Sequence, residues 1–279
     1  MGVSRPLFPT ALAGLAVLAV LAVALAVPPA RAQESSPETV ARLKAIVAAD
    51  HRPERDRARD RYRNPVETLA FFGIRDDLTV VEIWPGGGWY TRILAPYLKD
   101  RGKLYLAAYE PGLLIRNATN TQREEVAAKP EVFGTPVFTV LEKGKYDIAP
   151  PGSADLVLTF RNLHNWMDAG DVDEVFQAMF RALKPGGVLG FVEHRAGPGP
   201  QDPRARSGYV TEAHTIQLAE KAGFRLIGRS EVNANPRDTK DHPRGVWTLP
   251  PSYALRDADR EKYTAIGESD RMTLKFRKP

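Results

Sequence analysis

The sequence predicts an α/β protein, a mostly parallel sheet with helices packed on both faces. Two patterns carry that prediction. From Leu78 onward, short apolar runs alternate with segments whose apolar residues recur at helical spacing, the order expected when crossover helices join parallel strands. Within that alternation, Val80 to Leu94 reads VVEIWPGGGWYTRIL: an apolar run closing on Glu82, a proline, three glycines and the start of a helical pattern. Strand, glycine turn and helix in that order bring backbone amides and a helix N-terminus against a nucleotide-like ligand. The composition is ordinary for a globular chain, 43% hydrophobic and 26% charged over 279 residues, enough for one good core.

The chain starts in another idiom. Arg5 precedes an uncharged apolar run, Ala11 to Val27, which Pro28-Pro29 stops. Ala30-Arg31-Ala32 then sets small residues where a signal peptidase reads. Residues 1–32 are expected to be a signal peptide cleaved after Ala32, which sends the protein to the periplasm. The alternative is an uncleaved membrane anchor, although a 17-residue run is at the short limit for crossing a bilayer. Membrane contact is expected only through that segment. There is no cysteine, which excludes disulfides, thiol nucleophiles and thiolate metal sites. The net charge of +5 includes Arg5 and Arg31, and the modest excess left after cleavage is no nucleic-acid footprint.

Residues 33–75 read as a helical extension. Val40, Leu43, Ile46 and Val47 fall on one face of a helix over 38–49. Residues 52–63 are a dense mixed-charge stretch. They read either as a solvated helix laced with ion pairs or as arginines folded over the edge of a ligand site. Pro65 starts a helix that packs Leu69, Phe71 and Phe72 and ends at Gly73. The main domain, 76–279, then offers strands at 79–83, 103–108, 135–141, 154–160, 188–193 and 224–232, with helices at 90–98, 116–128, 172–183 and 211–222. The alternating tail 271–277 reads as a final edge strand. The loop 238–247 is long for a simple connection and reads as a lid, an acceptor wall or an exposed excursion.

The glycine turn has companions: Glu110 near the end of the second run (Ala108 is the other candidate end), Asp155 opening another strand, and LKPGG, Leu183 to Gly187, before a run ending Val192-Glu193. Together these resemble the class I S-adenosylmethionine-dependent methyltransferases, from about Leu69 to the C-terminus. The similarity is to the small-molecule branch of the superfamily and to an exported group of predicted methyltransferases. LTFRNLHNW, Leu158 to Trp166, is similar to the post-strand segment of quinone and lipid methyltransferases. The resemblance implies a Rossmann-like fold with a mostly parallel seven-stranded sheet, S-adenosylmethionine as cofactor, and a small or amphiphilic acceptor. It implies that Glu82, Gly86, Gly88 and Glu110 hold the cofactor and that Asn162 and His164 face the acceptor, with His164 the best-placed base or else a helix-start histidine. Trp84 departs from the pattern, standing where the family usually has glycine. An exported, non-catalytic small-molecule-binding protein with the same fold is the alternative reading. No histidines fall at metal-ligand spacing, so no metal is expected, and no serine sits in a nucleophile elbow.

Overall fold

The structure, a computed structural model, describes residues 1–2, 35–110 and 117–279. Apart from its first two residues, the expected signal segment lies outside the described residues. Gln33 to Pro279 is one compact unit.

The extension opens with α1, Pro37–Ala48, capped by the Ser36 hydroxyl on the Thr39 amide. Leu43 is its fully buried contact, as its apolar face requires. The charged stretch becomes two single turns, α2 (Glu54–Arg57) and α3 (Asp60–Arg63), in place of one solvated helix. Asn64, in the left-handed region at φ 39°, separates α3 from α4, Pro65–Phe72, and Gly73 at φ 80° ends α4.

The alternating region follows. Its elements are β1 (Thr79–Ile83), α5 (Thr91–Leu98), β2 (Lys103–Ala108), α6 (Asn117–Ala128), α7 (Pro130–Phe133), β3 (Val137–Val140), β4 (Ala154–Phe160), α8 (Leu163–Ala169), α9 (Val172–Ala182), β5 (Leu183–His194), α10 (Glu212–Lys221), β6 (Arg225–Ser230), α11 (Arg260–Ile266) and β7 (Arg271–Arg277). The strands form one sheet in the order β3-β2-β1-β4-β5-β7-β6. The first five run parallel, and β7 pairs antiparallel with both neighbours. The order reverses direction beside β1, so the carboxyl ends of β1 and β4 flank the crevice where open sheets take ligands.

The expectation of an edge position for 271–277 is corrected: β7 lies between β5 and β6. Its alternation looked half-solvated because Arg271, Thr273 and Lys275 occur at every second position, yet these too are buried. Arg271 is neutralised by Glu268, and Lys275 extends over the Phe71 ring. The KPGG segment is an irregularity inside β5 rather than a turn before it: the ladder passes from Ala154↔Leu183 to Leu156↔Val188.

Successive residues of β1 feed two cores. Val81 and Ile83 join the cluster that includes Trp166, Phe176, Met179 and Phe276. Val80 joins the one formed by Leu43, Leu69, Phe72, Ile93 and Leu106. Among the described residues no helix is long and apolar enough to cross a membrane.

Gly190 in β5 lets Phe72 of α4 lie directly on the sheet. A Cβ there would stand 2.6 Å from Phe72 Cγ and 2.7 Å from Leu158 Cδ2. Gly190→Ala is therefore expected to destabilise the fold by about 1–3 kcal/mol through overpacking, measured by urea denaturation. An unchanged midpoint would show that the extension does not bear on the sheet in this way.

Candidate active site

At the carboxyl ends of β1 and β4 lies a cavity of about 510 Å³. Its lining includes Glu82, Trp84, Gly86, Gly87, Trp89, Tyr90, Phe160, Arg161 and Asn162, with Arg55, Asp56, Arg59 and Arg63 from the extension and Pro251 from the opposite wall. The second reading of the charged stretch is the one the fold adopts, since its arginines fold over the glycine turn.

The turn itself is held open. Gly86 (φ 57°) and Gly88 (φ 80°) take backbone conformations that side chains disfavour. A Cβ on Gly86 or Gly87 would meet nothing within 4 Å, whereas one on Gly88 would press on Gln122. The inner face of the turn is thus bare backbone. Trp84 also has positive φ, 44°, yet its indole does not fill the cavity. It stacks on Tyr109 (4.6 Å between centroids) and donates from Nε1 to the Leu141 carbonyl at 2.8 Å, which makes it one wall.

Arg92, which no sequence motif singles out, fixes the turn from behind. Its guanidinium donates to the Gly87 carbonyl at 2.8 Å, to Asp56 of α2 at 2.9 Å and to Glu125 of α6 at 2.9 Å and 2.5 Å. Trp89, just past the turn, lies between the guanidinium groups of Arg52 (5.1 Å) and Arg63 (4.6 Å) and donates to the Asp56 carbonyl. Tyr90 and Phe160 stack at 3.5 Å to floor the cavity.

Glu82 is buried and accepts from Thr91 Oγ1 at 2.6 Å, and Thr91 in turn accepts from Gln122. Burial pushes the Glu82 carboxyl up to about 8, against the smaller opposing effects of Thr91 and Arg92. Glu110 sits elsewhere. It lies two residues past the end of β2, exposed, paired with Lys145 and outside the cavity lining.

Asn162, the residue before α8, spends both amide protons on the scaffold. It donates to the Ile83 carbonyl (3.0 Å) and to Thr159 Oγ1 (3.2 Å), tying β4 to β1 and leaving Oδ1 as its remaining group. His164 is in the first turn of α8, outside the cavity lining. Its Nδ1 lies 3.1 Å from Oε1 of fully buried Glu193, the arrangement that orients an imidazole. His194 follows, with Nδ1 2.5 Å from Ser269 Oγ, and is held neutral by burial and by His164, well below its ordinary pKa. His164, Glu193 and His194 place one ligand atom each within 4.8 Å, a cluster that joins the adjacent pair ending β5 to a histidine of α8 thirty residues earlier. Glu193 already accepts from the His194 amide, the His164 amide and the His164 ring, so the cluster reads as a hydrogen-bonded support for His164.

The loop 238–247 does not line the cavity and is partly exposed, at Asp241, Pro243, Arg244 and Trp247, but it is anchored at one point. Asp238, fully buried, accepts from the Tyr209 hydroxyl, His242 Nε2, and the Lys240 and Asp270 amides. It pins the loop that carries Trp247, whose ring centroid is 5.9 Å from that of His164. Beneath the cavity, Glu268 binds Arg59 (2.5 Å), Arg63 (3.4 Å) and Arg271. Burial alone would raise this carboxyl, but Arg271, Arg63 and Arg59 hold it well below the usual range.

Because the folded Glu82 binds its proton more tightly than an unfolded carboxyl of ordinary value 4.5, its contribution to stability is greatest in acid and is lost as pH rises towards 8. Over that window the unliganded wild type is expected to lose stability relative to Glu82→Gln, with a slope approaching about 1.4 kcal/mol per pH unit. Denaturation curves across the window check this, and parallel profiles would refute it.

Residues 81–191 match the family described as a methyltransferase domain. No curated protein sequence matches the chain. In structure it is similar to an S-adenosylmethionine-dependent methyltransferase from Aquifex aeolicus, at TM-score 0.53 and 16% identity, covering 86% of this chain and 98% of that one. It is likewise similar to the [4+2]-cyclase SpnF, at TM-score 0.52 and 17% identity over 87% and 93%. A third similar structure, described as a sarcosine dimethylglycine methyltransferase from Galdieria sulphuraria, gives TM-score 0.51 and 17% identity over 80% and 86%. At these identities the likeness speaks for the fold, and the presence of a cyclase on it shows that the fold alone does not fix the reaction. Residues 81–191 thus match a methyltransferase-domain family, and the chain as a whole shares its fold with these structures.

Proposed function

We propose that the protein transfers a methyl group from S-adenosylmethionine to a small or amphiphilic acceptor. The observation that carries this is the cavity over bare backbone at Gly86 and Gly87, with a buried carboxylate, Glu82, beside it. The residues fit the cofactor. The turn leaves space where side chains would otherwise stand, the N-terminal end of α5 lies beyond it, and Glu82 gains a reason to ionise when an ammonium group arrives. When bound, the cofactor supplies a sulfonium-activated methyl group, so the protein's task is chiefly alignment and exclusion of water. Tyr90 and Phe160 give the acceptor a flat apolar floor, and Asn162 Oδ1 offers one acceptor of hydrogen bonds. His164, backed by Glu193, takes the proton where the acceptor's nucleophile is an O–H or N–H group. For that the acceptor reaches past Asn162 towards Trp247, the exposed aromatic beside His164.

Calorimetric titration with S-adenosylhomocysteine tests the reading. Micromolar to submillimolar binding is expected, weakened more than about 100-fold by Gly86→Val, which places a branched side chain in the cradle at positive φ. Absence of binding by the wild type at millimolar ligand would defeat it.

We also propose that the protein is exported to the periplasm and cleaved after Ala32, on the strength of the leader-like run and its small-residue site. A reporter active only outside the cytoplasm, fused after residue 40, should be active. An inactive reporter, or a mature N-terminus other than Gln33, would overturn the respective part.

A further inference from the structure

The cavity carries more positive charge than the protein neutralises and more than the cofactor could match. Arg59, Arg63, Arg161 and Arg271 lie around one buried carboxylate, Glu268, which receives three of them. Arg161 is left over. It is half-buried in the cavity lining, and among the described residues nothing accepts a hydrogen bond from its guanidinium and no carboxylate pairs with it. Arg59 Nη2 is buried without a partner as well. Like charges crowd here: burial and then Arg271 bring Arg161 down to about 10, and burial followed by Arg161 holds Arg63 well below its ordinary value. The other lining acids do not relieve this. Asp56 is engaged by Arg92, and Glu82 binds its proton up to about pH 8.

The backbone also strains to put Arg161 there. It sits at φ 64°, in the left-handed region, while its amide donates to the Val192 carbonyl at 2.7 Å. Guanidinium groups in such a number suit carboxylate or phosphate oxygens, which they bind as a planar fork. The cofactor cannot be the partner that balances the charge. Its carboxylate is offset by its own ammonium, and its sulfonium adds a further positive charge, so loading it leaves the cluster more positive.

We propose that the methyl acceptor is an organic anion, a small molecule whose carboxylate or phosphate docks on Arg161 with Arg59 and Arg63 while its apolar part lies on Tyr90 and Phe160. This rests on the methyltransferase reading for the word acceptor; the anion site rests on the arginines. In the loaded enzyme the anion also offsets the charge of the sulfonium and steers the acceptor into the cleft.

The test uses the full chain saturated with S-adenosylhomocysteine and titrated with benzoate, phenyl phosphate, neutral benzamide and cationic benzamidine. The two anions are expected to bind at least tenfold more tightly than benzamide, with benzamidine weakest. Arg161→Gln should cost the anions about tenfold or more while changing the affinity for S-adenosylhomocysteine less than threefold. Arg161→Lys should fall between, and Arg55→Gln at the exposed rim, which carries no folding risk, should weaken the anions by a smaller factor. Equal binding of anions and benzamide, or no binding of either anion, overturns the proposal. So does a tenfold loss of S-adenosylhomocysteine affinity in Arg161→Gln with phenyl phosphate competing against it, since the arginines would then hold the cofactor's carboxylate. If the wild type does not bind S-adenosylhomocysteine, the methyltransferase reading fails by itself. The same titration of the free protein then decides the anion site by the same Arg161-dependent selectivity.

Discussion

The structure turns on one buried carboxylate. Glu268 stands three residues before the start of β7 and draws Arg59 and Arg63 from the other end of the chain, 209 and 205 residues away, together with Arg271 from β7 itself. Taking these charges out of water is expensive, and the cost is met only because the carboxylate is satisfied from several sides. Two consequences follow from the geometry. The extension is drawn over the carboxyl ends of β1 and β4, which turns an open crevice into a cavity. The single negative charge is also outnumbered, which leaves the cavity floor positive. Removing Glu268 would leave Arg59, Arg63, Arg161 and Arg271 facing one another, so the extension, the last strand and the character of the site depend on the same side chain.

A second tie acts on the other side of the glycine turn. Arg92 lies one residue into α5 and reaches the turn, α2 and α6 at once. A glycine-rich turn is soft by nature. Here its carbonyl at Gly87 is fixed by a charged donor that is itself held by Asp56 and Glu125. The turn is therefore flexible in sequence and rigid in place, and the backbone amides facing the cavity need little reorganisation when a ligand arrives.

Much of this was legible beforehand, and the exceptions have a common cause. The strands at 79–83, 103–108 and 154–160 and the turn after Glu82 were readable because burial on both faces forces continuous apolar runs and because only glycine tolerates the turn. The position of β7 was not, since the alternation of 271–277 is the ordinary mark of an edge and only tertiary partners for Arg271 and Lys275 make it an interior strand. Glu82, Gly86 and Asn162 line the cavity, whereas Gly88 faces Gln122, and His164 and Glu110 lie outside the lining. The arginines at 59 and 63 were visible within a charged stretch that read two ways, as a solvated face or as a cover over the ligand site. What distinguishes them from a solvated face is Glu268, and no local pattern links residues that far apart in the chain.

Trp84 is the sharpest departure from the sequence pattern, and its accommodation explains why it does not close the site. A tryptophan at φ 44° costs about 1–2 kcal/mol in backbone strain. The hydrogen bond from Nε1 to Leu141 contributes roughly 1 kcal/mol, and the stack on Tyr109 about 0.5–1.5 kcal/mol. The two gains offset the strain, and both pull the indole towards the ends of β2 and β3. A β-branched or aliphatic residue would bear the same strain with neither partner. The position thus selects glycine, which avoids the cost, or a residue that can recover it outside the cavity. Tryptophan does the latter, and it gives the glycine turn an aromatic wall without taking the space above Gly86.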